Sequence, residues 1–295
     1  MLKNITTMKN IRVIPRLDIK GPNLVKGIHL EGLRVLGKPE QYAKYYYETG
    51  ADELMYMDVV ASLYERNSLK DLITRTAKEI FIPLTVGGGL RTIEDIREVL
   101  RSGADKVAIN TAAVKSPEMI KEASRIFGSS TIVVAIEAIK QPDGIYLAYT
   151  DNGREHTGIE VLSWAKEVEK LGAGEIVLTS VDREGTGEGY DVELIEMVSE
   201  AVSIPVVAHG GPGKPEDVAT AVVQGGASAV AIASMLHYDY IKSHDMKGDF
   251  ESEGNLEFMK SGKGNAVFAP ANITGIKEFL HAAGIPCRYH GEKTK

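Results

Sequence analysis

The stretch Pro83-Leu84-Thr85-Val86-Gly87-Gly88-Gly89 recurs about 122 residues later as Pro205-Val206-Val207-Ala208-His209-Gly210-Gly211. The correspondence continues on both sides of this pair, matching residues 50–54 with 172–176 and residues 106–111 with 229–234. The repeating unit is therefore roughly half of the 295-residue chain, which excludes a short solenoid repeat. A chain built from two similar halves is expected to carry two similar sites.

Composition and charge narrow the class of protein. The formal net charge of −7 argues against nucleic acid as the main partner, although a local basic pocket for a phosphorylated metabolite remains compatible with it. A single cysteine, Cys287, excludes an internal disulfide framework. The apolar runs are shorter than a membrane span, and residues 1–10 lack the apolar core of a signal peptide. We therefore expect a cytoplasmic protein without membrane contact.

Short runs rich in Val, Ile and Leu alternate with longer stretches of helical period, which is typical of parallel strands covered by crossover helices. Strands are expected near 11–18, 53–59, 82–86, 106–110, 131–137, 175–180, 205–208 and 229–233. Helices are expected near 39–48, 69–79, 93–101, 117–126, 159–171, 192–202, 215–223 and 276–283. Eight such units in a row predict a single (β/α)₈ TIM barrel over residues 1–295, with a two-fold internal repeat.

Two segments stand outside this alternation. Residues 145–149, followed by Asp151-Asn152-Gly153-Arg154, have the alternation and the Asn-Gly turn of a β-hairpin, which falls in the loop after strand 5. Residues 239–271 are rich in Lys, Glu, Ser and Gly and separate strand 8 from the final helix. We expect this inserted segment to be a surface loop, with a lid or a partner-docking arm as the alternative.

Two acidic residues end strands at equivalent places in the two halves. Asp18 ends strand 1 and Glu137 ends strand 5, about 119 residues further on. Active sites of TIM barrels lie at the carboxyl ends of the strands, so the two carboxyl groups should face each other across the barrel mouth. Such a pair suits general acid and general base catalysis. The alternative is that each merely caps its strand or pairs with Arg16 or Lys20.

Glycine-rich turns after strands 3 and 7 allow backbone N–H groups to approach an anion closely. Small residues that follow strands 4 and 8 are expected to lie beside these two turns. Each half of the chain therefore offers one phosphate cradle. The first cradle consists of Gly88, Gly89, Asn110 and Thr111, and the second of Gly210, Gly211, Ala233 and Ser234. Two cradles on opposite sides of one mouth predict a substrate that carries two phosphates.

Four charged residues fall where strands 1, 2, 4 and 6 begin: Arg12, Glu53, Lys106 and Glu175. Two cations and two anions at one end of the barrel can close into a salt-bridged ring, which we call the floor ring. It either stabilises the barrel floor or forms a gate through which a small molecule enters.

These motifs, together with Val25-Lys26-Gly27 and Gly174-Glu175-Ile176-Val177-Leu178-Thr179-Ser180-Val181-Asp182-Arg183-Glu184-Gly185-Thr186, closely resemble the cyclase subunit of imidazole glycerol phosphate synthase. The resemblance implies a two-fold TIM barrel that works with a glutaminase subunit docked at its N-terminal face. Ammonia from glutamine would pass through the barrel and attack a bis-phosphorylated ribulosyl aminoimidazole carboxamide. The products would be imidazole glycerol phosphate, for histidine synthesis, and an aminoimidazole carboxamide ribotide.

The resemblance also assigns roles to residues. Asp18 matches a catalytic aspartate, the floor ring matches an ammonia gate, and the two cradles, joined by Gly185, match two phosphate sites. Further side chains implied to contact substrate are Lys26, Asp58, Thr179, Ser180, Glu184 and His209. Because an opposed acid and base suffice for this ring closure, no metal and no other cofactor is expected.

The chain departs from the family pattern at a few positions. Glu137 stands where an aspartate is expected, Arg16 where a cysteine is, and His209-Gly210-Gly211-Pro212 where Ser-Gly-Gly-Ala is. These changes leave two alternatives open: a paralogue that uses ammonia to convert an acetamido group of a surface-polysaccharide sugar into an acetamidino group, and a non-catalytic barrel that only binds a glutaminase. His209 is either a proton shuttle or a pocket-lining residue.

Overall fold

The computed structural model describes residues 9–60, 69–244, 268–269 and 271–289. Eight parallel strands form a closed barrel, because the last of them pairs with the first: Arg12 aligns with Ala229 and Pro15 with Ile232. In order around the barrel they are β1 (Arg12–Lys20), β4 (Leu54–Asp58), β5 (Leu84–Gly87), β6 (Lys106–Ile109), β7 (Ile132–Lys140), β10 (Glu175–Ser180), β11 (Val206–His209) and β12 (Ala229–Ile232). The predicted TIM barrel is confirmed.

The remaining four described strands form two antiparallel hairpins, each attached to the first barrel strand of one half. β2 (Asn23–Ile28) and β3 (Glu31–Gly37) follow β1, whereas β8 (Tyr146–Thr150) and β9 (Glu155–Glu160) follow β7. The second hairpin confirms the prediction from the Asn-Gly turn. The first hairpin was not predicted, and it extends the two-fold repeat to the loops at the mouth.

Amphipathic helices pack around the barrel. The described α-helices are α1 (Pro39–Glu48), α2 (Lys70–Glu79), α3 (Ile93–Arg101), α4 (Thr111–Lys115), α5 (Glu118–Phe127), α6 (Val161–Lys170), α7 (Val192–Ser199), α8 (Pro215–Val223), α9 (Ser234–Ser243) and α10 (Ile273–Ala282). Local signals fix several starts: Thr92 and Asp95 form a capping box at α3, and the Asn272 side chain accepts a hydrogen bond from Gly275 N at α10. None of the described helices is long and apolar enough to cross a membrane.

The structure corrects several predicted bounds. The segment expected to be a loop over 239–271 begins within α9, and its residues 245–267 and 270 lie outside the described residues. The helix expected from 159 begins at Val161, because residues 155–160 pair as β9. The last helix begins at Ile273, three residues earlier than predicted, because Asn272 caps it. That residues 1–295 form one domain stays a prediction.

Apolar side chains divide into two clusters. The larger one fills the space between strands and helices, as expected for strands with helices on their outer face. The smaller one lies inside the barrel and is made mostly of small or β-branched residues: Ile14, Met55, Ala108, Val133, Ala135, Val177, Val207, Ala229 and Ala231. This inner layer separates the charged floor of the barrel from its mouth.

Candidate active site at the barrel mouth

Asp18 and Glu137 lie on opposite sides of the barrel. Their strands, β1 and β7, are four positions apart in either direction around the sheet. Side chains alternate along a strand, so β1 directs Arg12, Ile14, Arg16 and Asp18 to the inside of the barrel. Asp18 is 2% exposed and Glu137 8% exposed. Both carboxyl groups therefore occupy the sheltered mouth, as the sequence predicted.

Cations surround the Asp18 carboxylate. Arg16 Nε donates to Asp18 Oδ1 at 2.9 Å, and Lys26 Nζ lies 4.0 Å from Asp18 Oδ2. The Lys26 ammonium also donates to Gly27 O at 3.1 Å and to the Glu184 carboxylate. Asp18 is thus an ion-paired carboxyl group in a sheltered site, where it can serve as a base.

Glu137 has a different environment. Burial raises its pKa from the ordinary value of 4.5 to about 7, although the Gly153 N–H and the charge of Arg16 oppose this shift. Gly153 N donates to Glu137 Oε2 at 2.8 Å, so the tip of the β8–β9 hairpin fixes the carboxyl group. A carboxyl group with this pKa is partly protonated near neutral pH and can donate a proton. The two opposed carboxyl groups thus differ in their partners: Asp18 has two cations, and Glu137 has a backbone N–H.

The first cradle opens onto a cavity of about 420 Å³ that Glu137 also lines. Gly88 has a φ of +94°, and a Cβ there would lie 2.2 Å from the carbonyl oxygen of Asp58, so only glycine fits. Asn110 precedes the short helix α4 with φ −129° and ψ −83°. Three cationic residues that the sequence analysis missed also line this cavity: Arg91, Lys115 and Arg154. They are far apart in sequence, and no motif links them, so the sequence alone did not indicate that they share one cavity.

The second cradle repeats this backbone. Gly210 also has a φ of +94°, and a Cβ there would lie 2.6 Å from Ser180 O. Ala233 precedes α9 with φ −118° and ψ −83°. The Ser234 hydroxyl is buried and makes no hydrogen bond of ordinary geometry. This cradle encloses only about 10 Å³, and its lining residues are Glu184, Gly185, His209, Gly210, Gly211, Pro212, Ala231, Ala233, Ser234 and Phe268.

The other residues implied to contact substrate divide by position. Asp58, at the end of β4, lines the larger cavity and accepts a hydrogen bond from Val60 N at 3.1 Å. Thr179 lies beside His209, with Oγ1 3.1 Å from Nδ1. The structure brings Ser180 to neither cavity, because its hydroxyl donates to Asp191 Oδ2 at 3.3 Å.

At the opposite end of the barrel, the floor ring closes. Arg12 donates to Glu53 at 2.6 Å and also to Glu175, while Lys106 lies 3.0 Å from Glu53 and 3.2 Å from Glu175. Cations and anions therefore alternate around the axis. Burying such charges is costly unless all are paired, and each charge here contacts two partners. The predicted ring forms; whether it serves as a gate is a question of function.

Comparisons with known proteins agree with the resemblance seen in the sequence. Residues 12–242 match the family described as "Histidine biosynthesis protein". The chain is 59% identical over 210 residues to a protein of Legionella pneumophila, covering 71% of this chain and 99% of that one. It is 50% identical over 246 residues to a protein of Methanocaldococcus jannaschii (77% and 90%) and 47% identical over 236 residues to one of Alkaliphilus metalliredigens (80% and 94%).

All three relatives carry the name imidazole glycerol phosphate synthase subunit HisF. These names favour neither sugar amidination nor a non-catalytic barrel. With a family match over more than half of its length and a close relative of nearly matching extent, the chain belongs to the histidine biosynthesis protein family and, within it, to the HisF cyclases.

Proposed function

We propose that this barrel is the cyclase subunit of an imidazole glycerol phosphate synthase. It uses ammonia to convert a bis-phosphorylated ribulosyl aminoimidazole carboxamide into imidazole glycerol phosphate and an aminoimidazole carboxamide ribotide. The observation that carries this proposal is the arrangement of the mouth. Two opposed, buried carboxyl groups, Asp18 and Glu137, lie between two anion cradles with the same backbone conformation.

A substrate with a phosphate at each end matches this spacing of sites. One phosphate would occupy the first cradle, where backbone N–H groups and nearby cationic side chains favour an anion. The other would occupy the second cradle, where Ser234 offers a hydroxyl. This cradle would have to open to admit a phosphate, because the volume of about 10 Å³ that it encloses is that of one water molecule. Anchoring both ends holds the reacting centre between the carboxyl groups and reduces the entropy that the reaction must lose.

The two carboxyl groups then divide the proton transfers. Ammonia condenses with the ribulosyl carbonyl, whose oxygen leaves as water, and its nitrogen then bonds to the carbon that carries the aminoimidazole nitrogen, which closes the ring. The nitrogen loses protons in these steps. The Asp18 carboxylate, paired with Arg16 and Lys26, is the base that accepts them. The departing aminoimidazole nitrogen gains a proton as its bond to carbon breaks, and Glu137, with a pKa of about 7, is the acid that supplies it.

The names of the relatives describe a subunit of a synthase, so a partner subunit is expected. We propose that this partner is a glutaminase that docks on the floor of the barrel. The floor ring lies at that end of the lumen and would have to separate one of its ion pairs to admit ammonia. Such an enzyme would work in the cytoplasm, which stays a prediction.

An assay without any partner tests the proposal. Purified protein is incubated with an ammonium salt and the bis-phosphorylated substrate, and imidazole glycerol phosphate is quantified by mass spectrometry. Asp71→Asn, on the exposed surface of α2, is the matched control for Asp18→Asn. We expect product from the wild type and the control, and about 10²- to 10⁴-fold slower product formation by Asp18→Asn. Folded wild-type protein that forms no product would overturn the proposal.

A further inference from the structure

Arg16 lies inside the barrel and connects the Asp18 carboxylate to His209. Its Nε donates to Asp18 Oδ1 at 2.9 Å, and its Nη1 lies 3.1 Å from His209 Nδ1. Arg16 and His209 are each 3% exposed. The guanidinium therefore spans from β1 to β11 in a sheltered interior, where its hydrogen bonds are not exchanged with solvent.

This contact determines which nitrogen of His209 carries the proton. A guanidinium has only donors, so the Nδ1 that faces it must be an unprotonated acceptor. Thr179 Oγ1, 3.1 Å from the same nitrogen, can donate to it as well. Burial, followed by the charges of Arg16 and Lys26, lowers the pKa of His209 well below its ordinary value. The imidazole is thus neutral and carries its proton on Nε2.

The His209 ring also lies at the second cradle. His209 lines that small cavity together with Gly210, Gly211 and Ser234. The Ser234 hydroxyl in the same cavity is buried and makes no hydrogen bond of ordinary geometry, although it interacts with the Tyr238 side chain. It can therefore donate to an anion in this cavity. Since Nδ1 is occupied by Arg16 and Thr179, Nε2–H is the donor that His209 can offer to an anion.

We infer that Arg16 is a positioning residue that holds His209 in its Nε2–H form, so that a neutral N–H donor serves the second phosphate cradle. The same guanidinium holds Asp18, so occupancy of the cradle and the position of the proposed base are linked through one side chain. The link to catalysis rests on the proposed function, whereas the state of His209 does not. The charged groups facing the imidazole are Arg16 and Lys26, with Glu184 lining the same cavity and Asp18 beyond the guanidinium.

Nitrogen-15 NMR of the imidazole tests the first part without any substrate. In the wild type, we expect the His209 shifts of a neutral ring protonated at Nε2 across the range from pH 5 to 8. Arg16→Met removes the guanidinium and leaves at Nδ1 only the Thr179 hydroxyl, which can donate or accept. In this variant the Nδ1–H form should become populated and the ring should titrate at higher pH. If the methionine variant does not fold, the same NMR measurement is made on Arg16→Lys, which keeps the positive charge but removes the guanidinium. Protonation at Nδ1 in the wild type, or an unchanged ring in the folded variant, would overturn the inference.

A matched pair at position 209 tests the second part, with inorganic phosphate as the probe. His209→Asn places an amide oxygen near the Nδ1 position, so it keeps the acceptor for Arg16 but loses the donor to the cradle. His209→Gln places an amide N–H near the Nε2 position and loses the acceptor. Because a hydrogen bond to a charged group is strong, we expect phosphate affinity to fall about tenfold or more in the asparagine variant. The glutamine variant should bind phosphate within about threefold of the wild type.

Kinetics then separate the two roles. His209→Asn should raise KM for the bis-phosphorylated substrate with little change in kcat, whereas Arg16→Met should mainly lower kcat, because it releases Asp18. Equal phosphate affinity in both position-209 variants would contradict the inference. Correct phosphate and NMR results from an enzyme without cyclase activity would instead contradict the proposed function and leave the assignment of His209 intact.

Discussion

The two phosphate cradles share a backbone and differ in almost everything that lines them. Gly88 and Gly210 have the same φ of +94°, and Asn110 and Ala233 have nearly the same φ and ψ. Yet the first cradle opens onto a cavity of about 420 Å³, whereas the second encloses about 10 Å³. Duplication has preserved the scaffold that presents N–H groups, and the side chains have diverged.

The same contrast separates the two carboxyl groups. Asp18 contacts a guanidinium and an ammonium, whereas Glu137 contacts a backbone N–H at the tip of a hairpin. Equivalent positions in a symmetrical scaffold therefore hold an ion-paired carboxyl group on one side and a carboxyl group with a raised pKa on the other. The two-fold barrel thus gives equivalent carboxyl groups different surroundings, and on one side burial raises the pKa of Glu137 to about 7.

Replacing either carboxyl group by an amide should have the largest effect on kcat. The pH dependence of kcat should differ between the two variants. We expect Asp18→Asn to lower kcat about 10²- to 10⁴-fold, as for loss of a general base. We expect the wild-type rate to fall above pH 7, where Glu137 loses its proton. Glu137→Gln should lower kcat over a similar range, and its rate should not show this fall. The pH profiles of kcat for both variants check this. Identical profiles would contradict the assignment of acid and base.

Making the halves alike should also impair the enzyme. Glu137→Asp withdraws the carboxyl group by one methylene from Gly153 N, which now donates to it at 2.8 Å. We expect kcat to fall about 10- to 100-fold, because small displacements of a catalytic group are costly. Glu122→Asp, on the exposed face of α5, is the matched control. An active Glu137→Asp variant with wild-type kcat would show that the hairpin does not set the position of the acid.

Glu137 should also make stability depend on pH. Its pKa is about 7 in the folded protein and near 4.5 when exposed, so the folded state holds the proton more tightly. This contribution is therefore present at low pH and is lost as pH rises from about 4.5 to 7, by about 3 kcal/mol in total. Urea unfolding at pH 5 and pH 8 measures it, with Glu137→Gln as the reference that lacks this dependence. A wild type and variant with the same pH dependence would contradict a raised pKa.

The smallest expected effect concerns the hydroxyl groups of the cradles. Ser234 Oγ makes no hydrogen bond of ordinary geometry in the protein, so Ser234→Ala should weaken phosphate binding about five- to tenfold. The matched change in the first cradle is Thr111→Val, whose hydroxyl is already shared with Asp151 at 3.5 Å. We expect its effect to stay below about twofold. Isothermal titration calorimetry with phosphate measures the affinity of both variants. An equal loss of affinity in the two would contradict the proposed difference between the cradles.

Much of this site could be predicted because it depends on strand ends. In a parallel barrel the residues near the carboxyl end of each strand reach the mouth, so Asp18, Glu137 and both glycine turns are placed once the strands are recognised. The predicted strand ends at 18 and 137 were too early, because β1 continues to Lys20 and β7 to Lys140, where each pairs with the hairpin strand that follows it. The floor ring follows from the first residues of the strands in the same way. Local sequence is sufficient for these features, because period-two alternation decides which side chains face inward.

The first hairpin could not be predicted, because its turn is held by tertiary contacts. His29 and Leu30 adopt φ values of +52° and +62°, where Asn and Gly are usual. The loop after β10 stabilises them: His29 N donates to Glu184 O, and Leu30 N donates to Glu184 Oε2, both at 2.9 Å. The state of His209 is hidden for the same reason, since Arg16 lies 193 residues away in sequence.

Isotope transfer tests the central claim most directly. With nitrogen-15 ammonium and the bis-phosphorylated substrate, the wild type should place a single labelled nitrogen in the ring of imidazole glycerol phosphate and release the unlabelled aminoimidazole carboxamide ribotide. Asp18→Asn should incorporate label about 10²- to 10⁴-fold more slowly. Label that appears in another product, or a wild-type protein that binds phosphate but transfers no nitrogen, would contradict an ammonia-dependent cyclase with its base on the first half of the barrel.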